Sequence, residues 1–284
     1  MSIKKNIFSR FLARFKNNKL NVSIIRLNGI ISPENGGFKK TNLALSALRK
    51  DIDKAFELKN LKAVALSINS PGGSPVQTEL LHRYILKCAY SKKVPVYSFV
   101  EDIAASGGYW LACAGSEIYA LESSILGSIG VITAGFGFVS ALKKLGVERR
   151  IITQGENKSV YDPFLPAKES DKKIIEALQK DAHEAFKTAV IECRGKKLQT
   201  KKEKLFDGKF WSGKRALELG LIDGIGDLYS VMEAKYGEDV CFNIVEKEES
   251  WLKKKLGIGA IMEEVVESFI MKIRERIDFI KFGL

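Results

Sequence analysis

Two glycine-rich turns hold the residues of this chain best suited to chemistry. One is Ala104-Ala105-Ser106-Gly107-Gly108, which follows an apolar run and opens a short helix pattern. A serine at that point meets the free backbone N–H groups and the positive potential of a helix start. Small neighbours let a substrate backbone come close to its hydroxyl. The combination suits a nucleophile whose attack creates an oxyanion, although a serine at a helix start is also ordinary capping chemistry. The other turn is Pro71-Gly72-Gly73, again between an apolar run and a helix. Its exposed N–H groups suit an oxyanion donor or a shelf for an extended peptide. Phosphate binding at a helix start needs a Lys-Ser/Thr pair after the glycines in the P-loop form, and none follows here.

A nucleophilic serine needs a base. The chain has only two histidines, His82 and His183. His82 falls between core positions of a helix. His183 stands mid-helix among Asp181, Glu184 and Lys187, which reads as a solvated face. A Ser-His-Asp arrangement is therefore poorly supported, and lysine is the remaining type of base. The chain has many lysines, and their spacing alone selects none of them.

The elements that must carry these turns follow from periodicity. Val22–Leu27 predicts a strand, and the polar, Gly-rich stretch Ile31–Lys40 a loop. Leu45, Leu48, Ile52, Ala55 and Phe56 predict an amphipathic helix. Ala63–Ile68 predicts a second strand. Ser74 with Gln77 three residues on forms a capping box, and Val76, Leu80, Leu81, Tyr84, Ile85 and Cys88 give the next helix its apolar face. Val94–Val100 is the third strand, and a short helix runs from Ser106 through Cys113. Further strands are expected near Glu117–Ala120, Ile129–Thr133 and Arg149–Thr153. A long helix spans Ser170 to Cys193, with Ile174, Leu178, Ala185, Phe186 and Ala189 inward. Gly208–Gly226 is turn-rich around one short helix. Alternating strands and helices predict an α/β fold with largely parallel strands and right-handed crossovers, whose sites form at the carboxyl ends of the strands.

Several segments, in order, resemble the bacterial signal peptide peptidase A family, including its SohB branch. They are I-N-S-P-G-G at Ile68–Gly73, D-I-A-A-S-G-G-Y at Asp102–Tyr109, G-S-I-G-V-I at Gly127–Ile132, G-E-N-K at Gly155–Lys158 and D-G-K-F-W-S-G-K-R-A-L-E-L-G-L-I-D at Asp207–Asp223. The match covers roughly residues 21–230. The resemblance implies Ser106 as nucleophile and Lys158 as general base. It implies Ser128 as the residue that orients the lysine, and the backbone N–H groups of Gly72, Gly73 and Gly107 as the oxyanion hole. It also implies a repeated β-β-α superhelix like that of Clp proteases and crotonases. Clp proteases carry a histidine soon after the serine, whereas none occurs here between Ser106 and His183. A lysine base is physically coherent, because burial without a counter-ion lowers an ammonium pKa of about 10.4 by up to about 3–5 units. The family further implies a homo-oligomer whose sites draw serine and lysine from neighbouring subunits. Its substrates are remnant signal peptides and other extended hydrophobic peptides, cleaved through an acyl-enzyme without a cofactor or metal.

The 284 residues are enough to bury a sizeable core. They divide into a basic arm at 1–20, a peptidase domain at 21–235 and an extension with an amphipathic helix at 236–284. The net charge is +12. Lys4, Lys5, Arg10, Arg14, Lys16 and Lys19 supply half of that excess, with no acid among the first twenty residues. Ile7, Phe8, Phe11, Leu12 and Phe15 recur between them at helical spacing, a pattern suited to a membrane surface or to a sister subunit. No nucleic-acid motif accompanies the charge. Cys88, Cys113, Cys193 and Cys241 lie too far apart for a zinc site or a dense disulfide framework, which suits a reducing compartment. No apolar run predicts a transmembrane span or a signal peptide, although family members usually carry a membrane anchor. The expected location is the bacterial cytoplasm or the inner face of the membrane. Two rival readings remain: an inactive membrane-associated scaffold, and a crotonase-type acyl-CoA enzyme with carboxylates at its pocket.

Overall fold

The computed structural model describes residues 19–33 and 42–245. The arm at 1–20, apart from its last two residues, and the amphipathic helix beyond 245 lie outside the described residues. In chain order the elements are β1 (Asn21–Asn28), α1 (Leu45–Phe56), β2 (Leu61–Ser70), α2 (Pro75–Lys92), β3 (Val96–Ala105), α3 (Gly107–Ala112), β4 (Glu117–Ala120), β5 (Ile125–Gly127), α4 (Val139–Lys144), α5 (Glu169–Arg194), β6 (Phe210–Ser212), α6 (Gly213–Glu218), β7 (Gly224–Ile225), α7 (Leu228–Tyr236) and β8 (Cys241–Ile244).

One eight-stranded sheet runs β6-β5-β3-β2-β1-β8, with β4 pairing both β3 and β7. Every pairing is parallel except β5 with β6. The expected α/β fold with a largely parallel sheet is what the chain adopts. The central strands are apolar on both faces because helices cover both. Ile25, Leu27, Val64, Leu66 and Ile68 join one core cluster, with Leu81, Ile85, Trp110 and Phe186 from the helices. Val22, Ile24, Ala63, Ala65, Tyr97 and Phe99 point the other way and meet Leu228 and Met232 of α7. The sheet continues past residue 235, since Cys241–Ile244 pairs with Asn21–Ile24.

Several local expectations are corrected. The strand expected at Ile129–Thr133 lies earlier, at Ile125–Gly127, because Gly127 and Ser128 take positive φ angles of 110° and 52° and end the extended backbone. Arg149–Thr153 forms no strand; those residues are exposed and pair with no other strand among the described residues. The third strand runs on to Ala105, so β3 delivers Ser106 directly. On α2 the buried set is Thr78, Leu81, His82 and Ile85, whereas Val76 and Leu80 are exposed. Leu178 of α5 is likewise exposed, and Phe186, Ala189 and Val190 are buried. Only half of the capping box forms. Ser74 accepts from the Gln77 N–H at 3.4 Å, but the Gln77 side chain accepts the Leu45 N–H at 3.2 Å and so ties α2 to the start of α1. The Ser74 N–H goes instead to the Ile31 carbonyl at 2.7 Å.

Candidate active site

β2 and β3 are adjacent and parallel, so the turns that follow them meet at the carboxyl edge of the sheet. A Cβ added to Gly72 would lie 2.7 Å from the Gly107 nitrogen and 2.8 Å from the Ser106 Cβ. The Pro71-Gly72-Gly73 turn therefore abuts the start of α3, with no room for a side chain between them. The chain near Ile31 fixes this turn from the other side. The Ile31 N–H donates to Gly72 O at 2.8 Å. Gly73 has φ +143°, and a Cβ there would fall 2.0 Å from the Ile31 carbonyl oxygen. Gly73→Ala should therefore cost at least about 2 kcal/mol through backbone strain and displacement of this turn. Urea unfolding followed by tryptophan fluorescence measures the loss, and an unchanged midpoint would mean that the turn adapts freely.

Ser106 sits between strand and helix with φ 52° and ψ −122°. A left-handed backbone at a non-glycine residue costs on the order of 1–3 kcal/mol and persists where the surroundings over-determine it. Here its N–H donates to the Gly127 carbonyl at 2.8 Å, and its carbonyl accepts from Tyr109 and Trp110 at 3.0 and 3.1 Å. The helix behind it is locked as well. Trp110 stacks on Phe186 of α5 with ring centroids 5.1 Å apart, and the buried Tyr109 hydroxyl donates to Leu221 O at 2.7 Å. Burial pushes the Tyr109 pKa well up, so it stays a neutral donor. A serine on a sharp, strained strand-to-helix turn, held by rigid packing, is the nucleophile-elbow arrangement of hydrolytic sites.

Ala105 pairs with Gly127, so Ser106 and Ser128 follow a matched pair on neighbouring strands, where strand spacing is about 4.8 Å. Both serines have φ 52° and both are half-buried. Ser128 is set by its own N–H, which donates to the Lys209 carbonyl at 2.6 Å. Both serines line one cavity of roughly 510 Å³, together with the Pro71-Gly72-Gly73 turn. Its other walls include Ile30, Pro75, Val131, Ile132 and Phe206. Gly107 is the first residue of α3, so its N–H has no acceptor one turn back within the helix. The Gly72 N–H donates to Ser70 Oγ at 3.2 Å.

Lys158 is not part of this cavity. It lies in an exposed turn, where its backbone N–H donates to Gly155 O at 3.2 Å. From Ile132 to Lys158 no residue is buried. This segment packs against the residues that follow it. Phe138 stacks on Phe164, and Arg149 pairs with Asp162 at 2.7 Å while lying over the Phe164 ring. Lys209 neighbours the cavity, and its ammonium is shared between Asp207 at 3.4 Å and Glu203 at 3.9 Å.

Two ionisable cavity residues were not assigned to the site from sequence. His183, read as solvated, lines the cavity, and its Nε2 is buried without a hydrogen-bond partner. Asp207 lines it too. Desolvation pushes the Asp207 carboxyl up, but the Lys209 N–H and ammonium outweigh it and hold the group below the usual carboxylate range. Neither residue has a local signal, because His183 reaches the cavity only through the packing of α5 against α3. Among the described residues no group of His, Cys, Asp and Glu is arranged to hold a metal ion.

A parallel α/β sheet with a strained serine between two glycine-rich turns at its carboxyl edge defines a hydrolase-type nucleophile site. The family model of peptidase family S49 matches residues 89–238, and the chain belongs to that family. It is 33% identical over 214 residues to the chloroplastic serine protease SPPA of Arabidopsis thaliana, covering 73% of this chain and 31% of that protein. Protease 4 of Haemophilus influenzae is 29% identical over 209 residues, covering 72% of this chain and 32% of that protein. A Brucella abortus protein named Na(+)/H(+) antiporter NhaA is 45% identical over 247 residues, covering 87% of this chain. This chain spans about a third of the length of that relative, 33%. Among the described residues no helix is long and apolar enough to cross a membrane.

Proposed function

We propose that this chain is a serine endopeptidase with a Ser-Lys dyad, in which Ser106 attacks the scissile carbonyl and Lys158 is the general base. The strained geometry of Ser106 at a cavity shared with Ser128 carries this reading. Lys158 takes the Ser106 proton and returns it to the leaving amine. Water then hydrolyses the acyl-enzyme with Lys158 again as base. Backbone N–H groups of Gly107 and of the Gly72-Gly73 turn stabilise the oxyanion, each such donor being worth roughly a hundred- to a thousandfold in rate. Ser128 orients the lysine.

The distance of Lys158 from its own cavity supports a site shared between subunits. The segment that bears it exposes Ile132, Phe136, Leu145 and Ile152, the last at 98% of its surface. Several large apolar side chains exposed on one segment suit an interaction surface. In a homo-oligomer a neighbour covers them, and Lys158 of one subunit serves Ser106 of the next. The apolar cavity walls suit remnant signal peptides and other extended hydrophobic segments. An extended peptide lying in this cavity is read through its backbone more than through its side chains.

The test is labelling with a fluorophosphonate probe beside turnover of a fluorogenic small-residue peptide. The wild type labels and cleaves, and Ser106→Ala does neither. Cleavage surviving in Ser106→Ala would remove Ser106 as nucleophile. A folded oligomer that never labels would make the chain a scaffold.

A further inference from the structure

The cavity that holds Ser106 is lined by ten apolar residues and glycines, the two serines, His183 and Asp207. Of the residues lining it, only Asp207 and His183 are ionisable. Asp207 stands between Phe206 and Gly208, which line it too. Its loop is fixed to the serine strand. A Cβ added to Gly130 would lie 3.2 Å from the Gly208 Cα, and the Ser128 N–H donates to Lys209 O. The carboxylate is therefore held in place at the wall rather than carried on a free loop.

Its charge is only partly balanced. Lys209 lies 3.4 Å from Asp207 and 3.9 Å from Glu203, and its side chain is 57% exposed. Arg215 pairs with Glu203 at 3.3 Å and Glu218 at 2.5 Å. Three carboxylates thus share two cations, and Asp207 is the member of the network that faces the cavity. The network leaves one negative charge over at the wall of the groove. A low-dielectric concave wall of one sign concentrates ligands of the other.

We infer that Asp207 is a specificity-determining residue that selects peptides carrying a lysine or arginine within their apolar stretch and disfavours acidic ones. This rests on the peptidase reading of the Ser106 site and adds to it a substrate class: cationic, extended, hydrophobic peptides. Lys209 acts against Asp207 by competing for the carboxylate, so the two residues set the preference from opposite sides.

The experiment compares fluorogenic peptides that differ in one residue, Lys, Leu or Glu, placed in turn at each position flanking the cut bond. The full chain is used as wild type, Asp207→Asn and Lys209→Gln, and the readout is the ratio of kcat/KM for the Lys and Glu peptides. At one position the wild type favours Lys by about fivefold, the size of a charge pair at a partly exposed wall. Asp207→Asn brings that ratio close to one, and Lys209→Gln raises it. A wild-type ratio near one at every position, or a ratio that moves in neither variant, overturns the assignment. Because each ratio is internal to one protein, a variant with lower overall turnover still reports. Failure of the wild type to cleave any peptide or take up the fluorophosphonate would instead overturn the peptidase reading itself.

Discussion

Subunits carrying Ser106→Ala and subunits carrying Lys158→Ala are each inactive, and mixing them restores cleavage. Either substitution removes a group needed in the transition state, so each variant alone loses about a thousandfold or more in kcat. Recovery on mixing follows from Lys158 standing outside the cavity of its own chain. In a mixed oligomer some interfaces join an intact serine to an intact lysine from the next subunit, because a head-to-tail contact uses two different surfaces. Dissociation and reassembly before the assay lets the subunits exchange. Fluorophosphonate labelling then falls only on the Lys158→Ala chain, which alone keeps the serine, and mass spectrometry of the two chains shows which one is labelled. No recovery after confirmed exchange would place serine and lysine in one subunit. The exposed segment from Ile132 to Lys158 would then have to fold back onto its own cavity.

The central strands were legible because burial on both faces leaves near-continuous apolar runs, as in Val22–Leu27 and Ala63–Ile68. The end of β3 was not. The expected strand stopped at Val100, yet Glu101 and Asp102 are exposed strand residues that accept from neighbouring β2. Ser67 Oγ donates to Glu101 at 2.5 Å and Asn69 Nδ2 to Asp102 at 2.7 Å. Polar residues on an open stretch of sheet do not end the ladder, so the chain carries on to Ser106. The turn that presents Ser106 was legible from small residues at a helix start, and Lys158 was singled out only by the family pattern. Asp207 lay inside a motif that had been recognised, but a loop carboxylate has no periodicity to show which way it faces. Its position depends on the bond between Ser128 and Lys209, which is a property of the folded chain.

Asp223→Ala destabilises the fold by about 3–5 kcal/mol, the cost of leaving a buried charge without its partner. That is on the order of 10 °C in melting temperature for a chain of this size. Arg194, at the end of α5, is 2% exposed. Its guanidinium grips Asp223 with two nitrogens at 2.5 and 3.2 Å, and its Nε donates to Gly220 O at 2.9 Å. Asp223 also accepts from Lys197 at 2.6 Å and from the Ile118 N–H at 2.8 Å. The carboxylate therefore joins α5 to β4 and to the loop before β7, and α5 is the helix against which Trp110 of the Ser106 turn stacks. Burial alone would push the Asp223 carboxyl up, but Arg194, Lys197 and the Ile118 N–H hold it below its ordinary value. The sign follows from that depression. The unfolded carboxyl titrates near pH 3.9, so the stabilisation is complete above about that pH and fades as pH falls through the lower folded value. The gap in melting temperature between wild type and Asp223→Ala is thus full at pH 7 and narrows below about pH 4. Replacing both partners, as Arg194→Met with Asp223→Leu, recovers much of the loss because no charge is left stranded. A gap that stayed constant into the acid range, or a double variant as unstable as the single one, would show that the ion pair is not what holds α5 against the sheet.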